Sequence, residues 1–336
     1  MSQIIIGIDE AGYGPNLGPL VVAATMWRCS DSRADNLADG VDLYEELSAA
    51  VTRESPGHKQ QADLRVLIAD SKQVYSKCDG IGRLERGVLA SLVALGHRCD
   101  DVAALWETLA ADSRSQRDAL PWHDEHSETL PIAADVDDVY AAGGALSACL
   151  CERRIELLDV AACAVFPGRF NWLTDRAGSK GRVNSDAAIG LARSLIDAAG
   201  TLPDCDGERQ YQVVCDKHGG RNRYAALLQS HFPESWIEIG NESRQRSTYR
   251  WPHGRGAVEA RFEVGAERHL PVALASMTAK YLRELAMRAF NGYWCQRVAD
   301  LRPTAGYPVD ARRFKKDIAA VHASLGIPDE LLWRSR

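Results

Sequence analysis

Ile4-Ile5-Ile6-Gly7-Ile8-Asp9-Glu10-Ala11-Gly12-Tyr13-Gly14-Pro15-Asn16-Leu17-Gly18-Pro19-Leu20-Val21-Val22 sets the reading of the whole chain. Its apolar opening has the length and β-branched character of a buried strand. The run stops on two adjacent carboxylates, Asp9 and Glu10, and a glycine-rich turn leads into a second apolar run through Ala24. A buried strand gains nothing from paired acids at its end unless something positive sits there, and a divalent cation is the usual answer. A polar strand end with an ordinary Gly/Pro turn is the plainer reading of any part of it. The full string, Asp-Glu-Ala-Gly-x-Gly-Pro-x-x-Gly-Pro, is too long and chemically unusual for that.

Outward from this point, strands are expected at Ile4 to Ile8, Leu20 to Trp27 and Tyr211 to Cys215, with shorter ones at Val66 to Ala69 and Trp236 to Ile239. Helices are expected at Arg83 to Leu95, Ala142 to Val160, Asp186 to Ala199, Arg223 to Ser230 and Ala273 to Arg297. In the last, Leu274, Met277, Tyr281, Leu282, Leu285 and Met287 fall near helical spacing. A final helix from Ala311 to Leu325 stops at Gly326, with Pro328 beyond it. Early strands in hairpin-like succession, followed by strands alternating with helices, give an α/β layer fold. Residues 97–139 are polar with weak periodicity and read as an excursion outside the core; no linker divides the chain into two domains.

With 336 residues, 46% hydrophobic and 26% charged, the chain can bury a large core and has an ordinary globular composition. A net charge of −6 gives no global attraction to polyanions, although a local basic face would suffice for nucleic acid. The nine cysteines, Cys29, Cys78, Cys99, Cys149, Cys151, Cys163, Cys205, Cys215 and Cys295, show no C-x-x-C spacing, and free thiols in a reducing compartment are expected. The N-terminal apolar run is too short for a signal peptide and no stretch approaches membrane-spanning length, so a cytoplasmic protein without membrane contact is expected.

Three further elements carry chemistry. Ile68-Ala69-Asp70-Ser71-Lys72 reads locally as a helix N-cap and first turn. Tyr211-Gln212-Val213-Val214-Cys215-Asp216 is another apolar strand ending in a carboxylate, and Glu267 precedes Ala275-Ser276-Met277-Thr278-Ala279-Lys280-Tyr281-Leu282-Arg283 on the long helix. In order and character these elements resemble ribonuclease HII, the type 2 ribonuclease H family. The opening is similar to its Asp-Glu-Ala-Gly-Arg-Gly-Pro-Leu-Ala-Gly-Pro string, Asp70-Ser71-Lys72 to its Asp-Ser-Lys, and the helix to its Ala-Ser-Ile-x-Ala-Lys-x-x-Arg. Gly306-Tyr307-Pro308, Leu325-Gly326 and Arg334-Ser335 resemble its C-terminal Gly-Tyr-x-Thr, Leu-Gly and Arg-Arg-Ser.

The resemblance implies a ribonuclease H-like fold over residues 1–336, a mixed central sheet flanked by helices. An insertion at about 97–165 and a helical C-terminal portion at about 273–336 would complete it. It implies a monomeric endonuclease that hydrolyses the RNA strand of RNA–DNA hybrids, or ribonucleotides embedded in duplex DNA, leaving a 3′-hydroxyl and a 5′-phosphate. Two departures stand out: the family's Gly-Arg-Gly is Gly12-Tyr13-Gly14 here, and its fourth acid, an Asp, is Glu267, one residue closer to the helix motif. Glu263 and Glu259 are the alternatives for that fourth position.

Phosphodiester hydrolysis needs a nucleophile near neutral pH and neutralisation of the leaving oxygen, and two Mg²⁺ or Mn²⁺ ions roughly 3.5–4 Å apart provide both. Such hard cations take carboxylate oxygens. Asp9, as the bridging ligand, with Glu10, Asp216 and Glu267 forms the expected cage. Without metal its mutual repulsion should leave the site unstable or partly protonated. Expected substrate contacts are the Gly12 and Gly14 N–H groups, Tyr13, and Ser71, Lys72 and Lys280 on phosphates. Tyr307 would read the 2′-hydroxyl, or else be a half-buried turn aromatic.

Among the basic clusters, Arg244, Arg246, Arg250 and Arg255, interleaved with Tyr249 and Trp251, suit backbone contact with base stacking. Lys217, Arg221 and Arg223, and Arg312, Arg313, Lys315 and Lys316, read as solvated faces. His218 is a polar loop residue or a proton shuttle. Two rival functions remain: a non-catalytic nucleic-acid-binding relative, and a same-fold nuclease acting on another DNA structure. Retention of all four acids argues against the first, because unpaired buried carboxylates are costly.

Overall fold

The computed structural model describes residues 2–30, 41–54, 63–75, 80–124, 128–202 and 209–335. Strand β1 (Ser2–Ala11) pairs antiparallel with β2 (Leu20–Ser30) across the Gly/Pro-rich connection, the hairpin-like start expected from the sequence. β3 (Val51–Thr52) and β4 (Val66–Leu67) form a separate parallel ribbon. β5 (Ile155–Val165) lies antiparallel on the outer side of β2, while β6 (Arg209–Asp216) and then β9 (Gly256–Glu263) add in parallel on the other side of β1. Two antiparallel strands, β8 (Arg246–His253) and β7 (Glu238–Glu242), finish the sheet in the order β5-β2-β1-β6-β9-β8-β7.

The helices are α1 (Leu43–Glu46), α2 (Ser71–Val74), α3 (Gly82–Ala94), α4 (Val102–Ala110), α5 (Arg114–Asp118), α6 (Pro121–Asp124), α7 (Val136–Arg153), α8 (Pro167–Ala177), α9 (Lys180–Gly200), α10 (Ala225–His231), α11 (Leu270–Cys295), α12 (Pro308–Leu325) and α13 (Asp329–Leu332). β1 is central and covered on both faces, which is why it is apolar on both until Asp9. Ile4, Ile6 and Ile8 pack in one core with Ile189 and Ala192 of α9. Ile5 belongs to the opposite core, with Leu270 and Leu274 of α11 and much of α3 and α7. The mixed α/β sheet flanked by helices, with further helices at the C-terminus, is therefore the architecture of this chain. Among the described residues no helix is long and apolar enough to cross a membrane.

The sheet has a functional polarity. β1, β6 and β9 run parallel, so their C-terminal ends open on one edge, where α/β sheets place ligands. Ile8 stands opposite Cys215 and Asp216 opposite Glu263, so Asp9 and Asp216 leave adjacent strands side by side.

Two expectations need correcting. Ala142 to Val160 is not one helix: α7 ends at Arg153, Arg154 takes a left-handed conformation, and residues from Ile155 onward pair with β2. The alanine- and cysteine-rich composition of that segment suits a helix as well as a strand, and pairing with β2 decides between them. Residues 97–139 are likewise no excursion outside the core. Leu105, Trp106, Leu109, Leu120 and Trp122 are buried within it. Glu85 of α3, fully buried, binds the loop that follows: its carboxylate accepts from the N–H groups of Ile132, Ala133 and Ala134 and from the Tyr281 hydroxyl. No disulfide joins the described cysteines, while Cys78 and Cys205 lie outside the described residues.

Candidate metal centre

Asp9, Asp216 and Glu267 each offer a carboxylate oxygen, and these three oxygens all lie within 4.8 Å of one another. The first two come from neighbouring strand ends. The third arrives because Gly265, left-handed at φ 70°, folds the chain back after β9. That turn is tied to the site itself, since Asp216 Oδ1 accepts from the N–H groups of Gly265 (2.9 Å) and Ala266 (3.1 Å). All three donors are hard oxygens, with no thiol or imidazole among them, which is the donor chemistry of Mg²⁺ or Mn²⁺.

Glu10 stands outside this trio. Alternation along β1 sends it to the opposite side of the strand from Asp9, where Asp216 is the strongest neighbouring charge and Asn184 of α9 lies close. Asn184 is buried, and neither of its side-chain amide atoms has a hydrogen-bond partner among the described residues. Nothing in the sequence marks it, since it reads as one polar residue in an amphipathic helix.

The carboxyls are all held above their ordinary values. For Asp9 the causes are burial and then the charge of Glu10, against the Ser276 hydroxyl. Burial, followed by the charge of Asp216, pushes Glu10 up to about 7. Burial raises Asp216 and Glu267 as well, with Lys72 opposing in both. The expectation of a partly protonated metal-free cluster is what this environment produces.

Glu263 and Glu259 do not compete for the fourth position. Glu263, opposite Asp216 in the register, is buried and bound by Arg246, Arg268 and His269. Burial alone would raise its carboxyl, but the His269 hydrogen bond and the Arg268 charge bring it down to about 2. Glu259 is half-exposed and pairs with Arg261.

Around the acids, Asp70 caps α2 by accepting from Lys72 N–H. Lys72 projects its exposed ammonium to 3.7 Å from Glu267. Ser276 Oγ is 3.0 Å from Ser71 Oγ, joining the long helix to the Asp-Ser-Lys turn. Gly12 has φ 88°, and a Cβ there would lie 2.5 Å from both Arg283 Nε and Pro19 O, so only glycine fits. Gly14 is exposed, and a Cβ on it would lie 3.8 Å from the Tyr307 ring. Tyr307 is 58% exposed and so is not the half-buried turn aromatic. Tyr13 carries Lys180 Nζ 4.9 Å from its ring centroid. Lys280 is held by Glu284 and lies over the Tyr75 ring.

Beneath the glycine-rich turn lie two buried guanidiniums. Arg283 donates to Leu17 O and Ala305 O, and Arg334 donates to Gly12 O and Pro15 O. Arg283 Nε and Arg334 Nε and Nη1 have no hydrogen-bond partner among the described residues. Burial, then the charge of Arg283, lowers Arg334 to about 9.

Three other expectations fail. Tyr249 and Trp251 are each 1% exposed, so they cannot stack on bases. In β8 the residues alternate, and the rings enter the core while Arg250 faces out. Lys217 is buried among Arg221 O, Asn222 Oδ1, Ser243 O and Ser247 Oγ, a structural tie and not part of a solvated face. His218 is buried between Ser185 Oγ and Cys215 Sγ, and burial lowers it to about 3. It is a loop residue just after β6, buried rather than solvated, and not a shuttle at neutral pH.

No family model matches the chain, and no curated protein matches it in sequence. Among solved structures it is similar to the ribonuclease H2 from Pyrococcus horikoshii OT3, at 16% identity and a TM-score of 0.44 over 98% of this chain and 92% of that one. It is similar also to the RNase HII of Archaeoglobus fulgidus solved as a complex with PCNA, at 16% identity and a TM-score of 0.39 over 99% and 94%. Bst-RNase HIII in complex with Mn²⁺ aligns at 13% identity and a TM-score of 0.40 over 99% of this chain and 66% of that one. Ribonuclease HII, the family that the sequence resembles, is thus among the structures this chain is similar to.

Proposed function

We propose that the protein is a divalent-metal-dependent endonuclease of the ribonuclease H type. Its substrate is the RNA strand of RNA–DNA hybrids, or ribonucleotides embedded in duplex DNA, and its products carry a 3′-hydroxyl and a 5′-phosphate. One observation supports this above the rest: three carboxylates from separate parts of the chain meet at the sheet edge where the glycine-rich turn leaves β1. Residues 1–336 act as one catalytic domain, monomeric and cytoplasmic.

Asp9, Asp216 and Glu267 would hold Mg²⁺ or Mn²⁺, with the Glu10 carboxylate available beside Asp216. Bound there, the metal supplies charge neutralisation at the phosphate and lowers the pKa of a water molecule. The chain's own contribution is geometric. Gly12 and Gly14 let the backbone approach a phosphate closely, Lys72 adds a positive charge at its edge, and Tyr307 stands beside Gly14 to meet a ribose 2′-hydroxyl. Ser71 and Ser276 join the turn that carries Lys72 to the long helix that carries Lys280. Lys280, held by Glu284, must release that partner to reach a phosphate.

Purified protein with Mg²⁺ or Mn²⁺ is tested on a labelled hybrid, a duplex with one ribonucleotide and an all-DNA duplex. Cleavage confined to the first two is expected. Asp9→Asn should abolish cleavage while leaving the folded spectrum intact, and full activity in that variant refutes the assignment. Cleavage of the all-DNA duplex would favour the same-fold nuclease with another substrate.

A further inference from the structure

The outer face of α8 carries cations that have no carboxylate partner among the described residues. Arg169 and Arg176 place their guanidinium carbons 4.1 and 4.7 Å from the Trp172 ring, and that ring is 46% exposed. These three residues, spaced i, i+3 and i+7, share one helix face. Neither arginine has an ion-pair partner among the described residues, whereas Arg182 and Arg193 on α9 are paired with Asp186 and Asp197. Asp175 is the exposed acid at the flank of that face. The row continues across the α8–α9 turn to Lys180, which lies over Tyr13. Tyr13 in turn is close enough to Glu10 for that carboxylate to raise its hydroxyl pKa, after burial.

This face is fixed rigidly to the glycine-rich turn. Asn171 of α8 donates to Trp333 O at 2.8 Å and accepts from Ser335 N–H at 2.7 Å. Between those two residues, Arg334 lies over Phe170 of α8 and donates to Gly12 O and Pro15 O. The C-terminal tail therefore clamps α8 to the loop beside the acids. Arginines held against a ring have also given up side-chain freedom in advance, which lowers the ordering cost of binding an anion.

We propose that Arg169, Trp172, Arg176 and Lys180 form a track for the phosphate backbone of a nucleic-acid duplex leaving the metal centre. This rests on the nuclease reading above, since it names how far that site's substrate extends. An 11-residue helix is about 16 Å long, so the track reaches on the order of five nucleotides beyond Tyr13. The contacts are to phosphate, hence independent of sequence and sensitive to salt.

The test uses the full chain carrying Asp9→Asn, so that binding of a hybrid duplex is read by fluorescence anisotropy without cleavage. Adding Arg169→Glu and Arg176→Glu should weaken binding at least tenfold at 100 mM salt and reduce the slope of log K against log salt by about 2. Trp172→Ala should weaken it about threefold. In the otherwise unmodified chain the same charge reversals should appear in KM more than in kcat. The effect should vanish on a duplex trimmed to about three base pairs on the α8 side. Thermal unfolding of each variant confirms that it folds. Unchanged affinity and salt slope in the folded charge-reversed variant, with cleavage intact in the parent, overturn the track alone. Salt-dependent binding that the reversals weaken, in a chain that cleaves nothing, supports the track and overturns the nuclease reading. Failure to bind any duplex overturns both.

Discussion

Replacing Glu10 by glutamine should stabilise the metal-free protein at pH 8 while ending its activity. In the folded chain the Glu10 carboxyl sits at about 7 against an ordinary 4.5, raised first by burial and then by Asp216. The folded state therefore holds this proton more tightly than the unfolded chain does. The stability this confers is fully present below pH 4.5 and is lost as pH rises through 7. The full shift corresponds to about 3 kcal/mol, and the partial exposure of Glu10 to water reduces it to about 1–3 kcal/mol. Glutamine keeps the shape and removes the charge. In EDTA the variant should match the parent near pH 4.5 and exceed it by about 1–3 kcal/mol at pH 8, a rise of about 2–5 °C in Tm. Mg²⁺ or Mn²⁺ should close the gap by stabilising the parent more than the variant. Thermal unfolding from pH 4.5 to 8, with and without metal, reads all of this. Parent stability that stays flat over that range, or a variant no more stable than the parent at pH 8 in EDTA, refutes the reasoning.

Two further predictions concern acids outside the metal centre. Glu263 behaves oppositely to Glu10: its carboxyl is lowered to about 2, so its contribution is present above pH 4.5 and is lost as pH falls towards 2. Glu263→Gln should cost about 3 kcal/mol in urea unfolding at pH 7, a penalty that shrinks by pH 3; a constant penalty would show that the ion pairs are not its source. Glu85→Ala strands three partly buried N–H groups and a buried tyrosine hydroxyl and should cost about 2–4 kcal/mol, with protease sensitivity appearing around residues 131–134. A loss below about 1 kcal/mol would mean that water replaces the carboxylate.

What could be read from the chain was local or strongly patterned. The β1–β2 hairpin, the carboxylates ending β1 and β6, and the long α11 follow from apolar runs and their stops. Glu267 could be singled out only by its distance from the helix motif, and the structure supplies the cause in the Gly265 turn. The failures share one physical origin, a partner distant in sequence. Glu85 looks like any exposed helical glutamate until residues 132–134 and Tyr281 are placed around it. β5 is a strand because β2 needs an outer neighbour, and its composition does not say so. Tyr249 and Trp251 are the exception, since period-2 alternation with Arg250 already puts the rings and the guanidinium on opposite faces.

Charge bookkeeping at the sheet edge explains why the glycine-rich turn lies where it does. On one side of it are four carboxyls whose surroundings disfavour ionisation, and on the other are Arg283 and Arg334, buried with guanidinium nitrogens lacking partners. The acids do not compensate the arginines directly. Among the described residues Arg283 has only Glu284, at 4.0 Å, and Arg334 has no carboxylate partner. Either set alone is costly to bury. Both costs fall together when a cation binds the acids and an anion lies over the turn, and a phosphodiester with its divalent metal is one ligand that supplies both charges. Gly12 stands at the boundary: its carbonyl accepts from Arg334 and its missing Cβ makes room for Arg283. In the proposed nuclease the electrostatic cost of this edge would therefore fall most when substrate and metal are bound together.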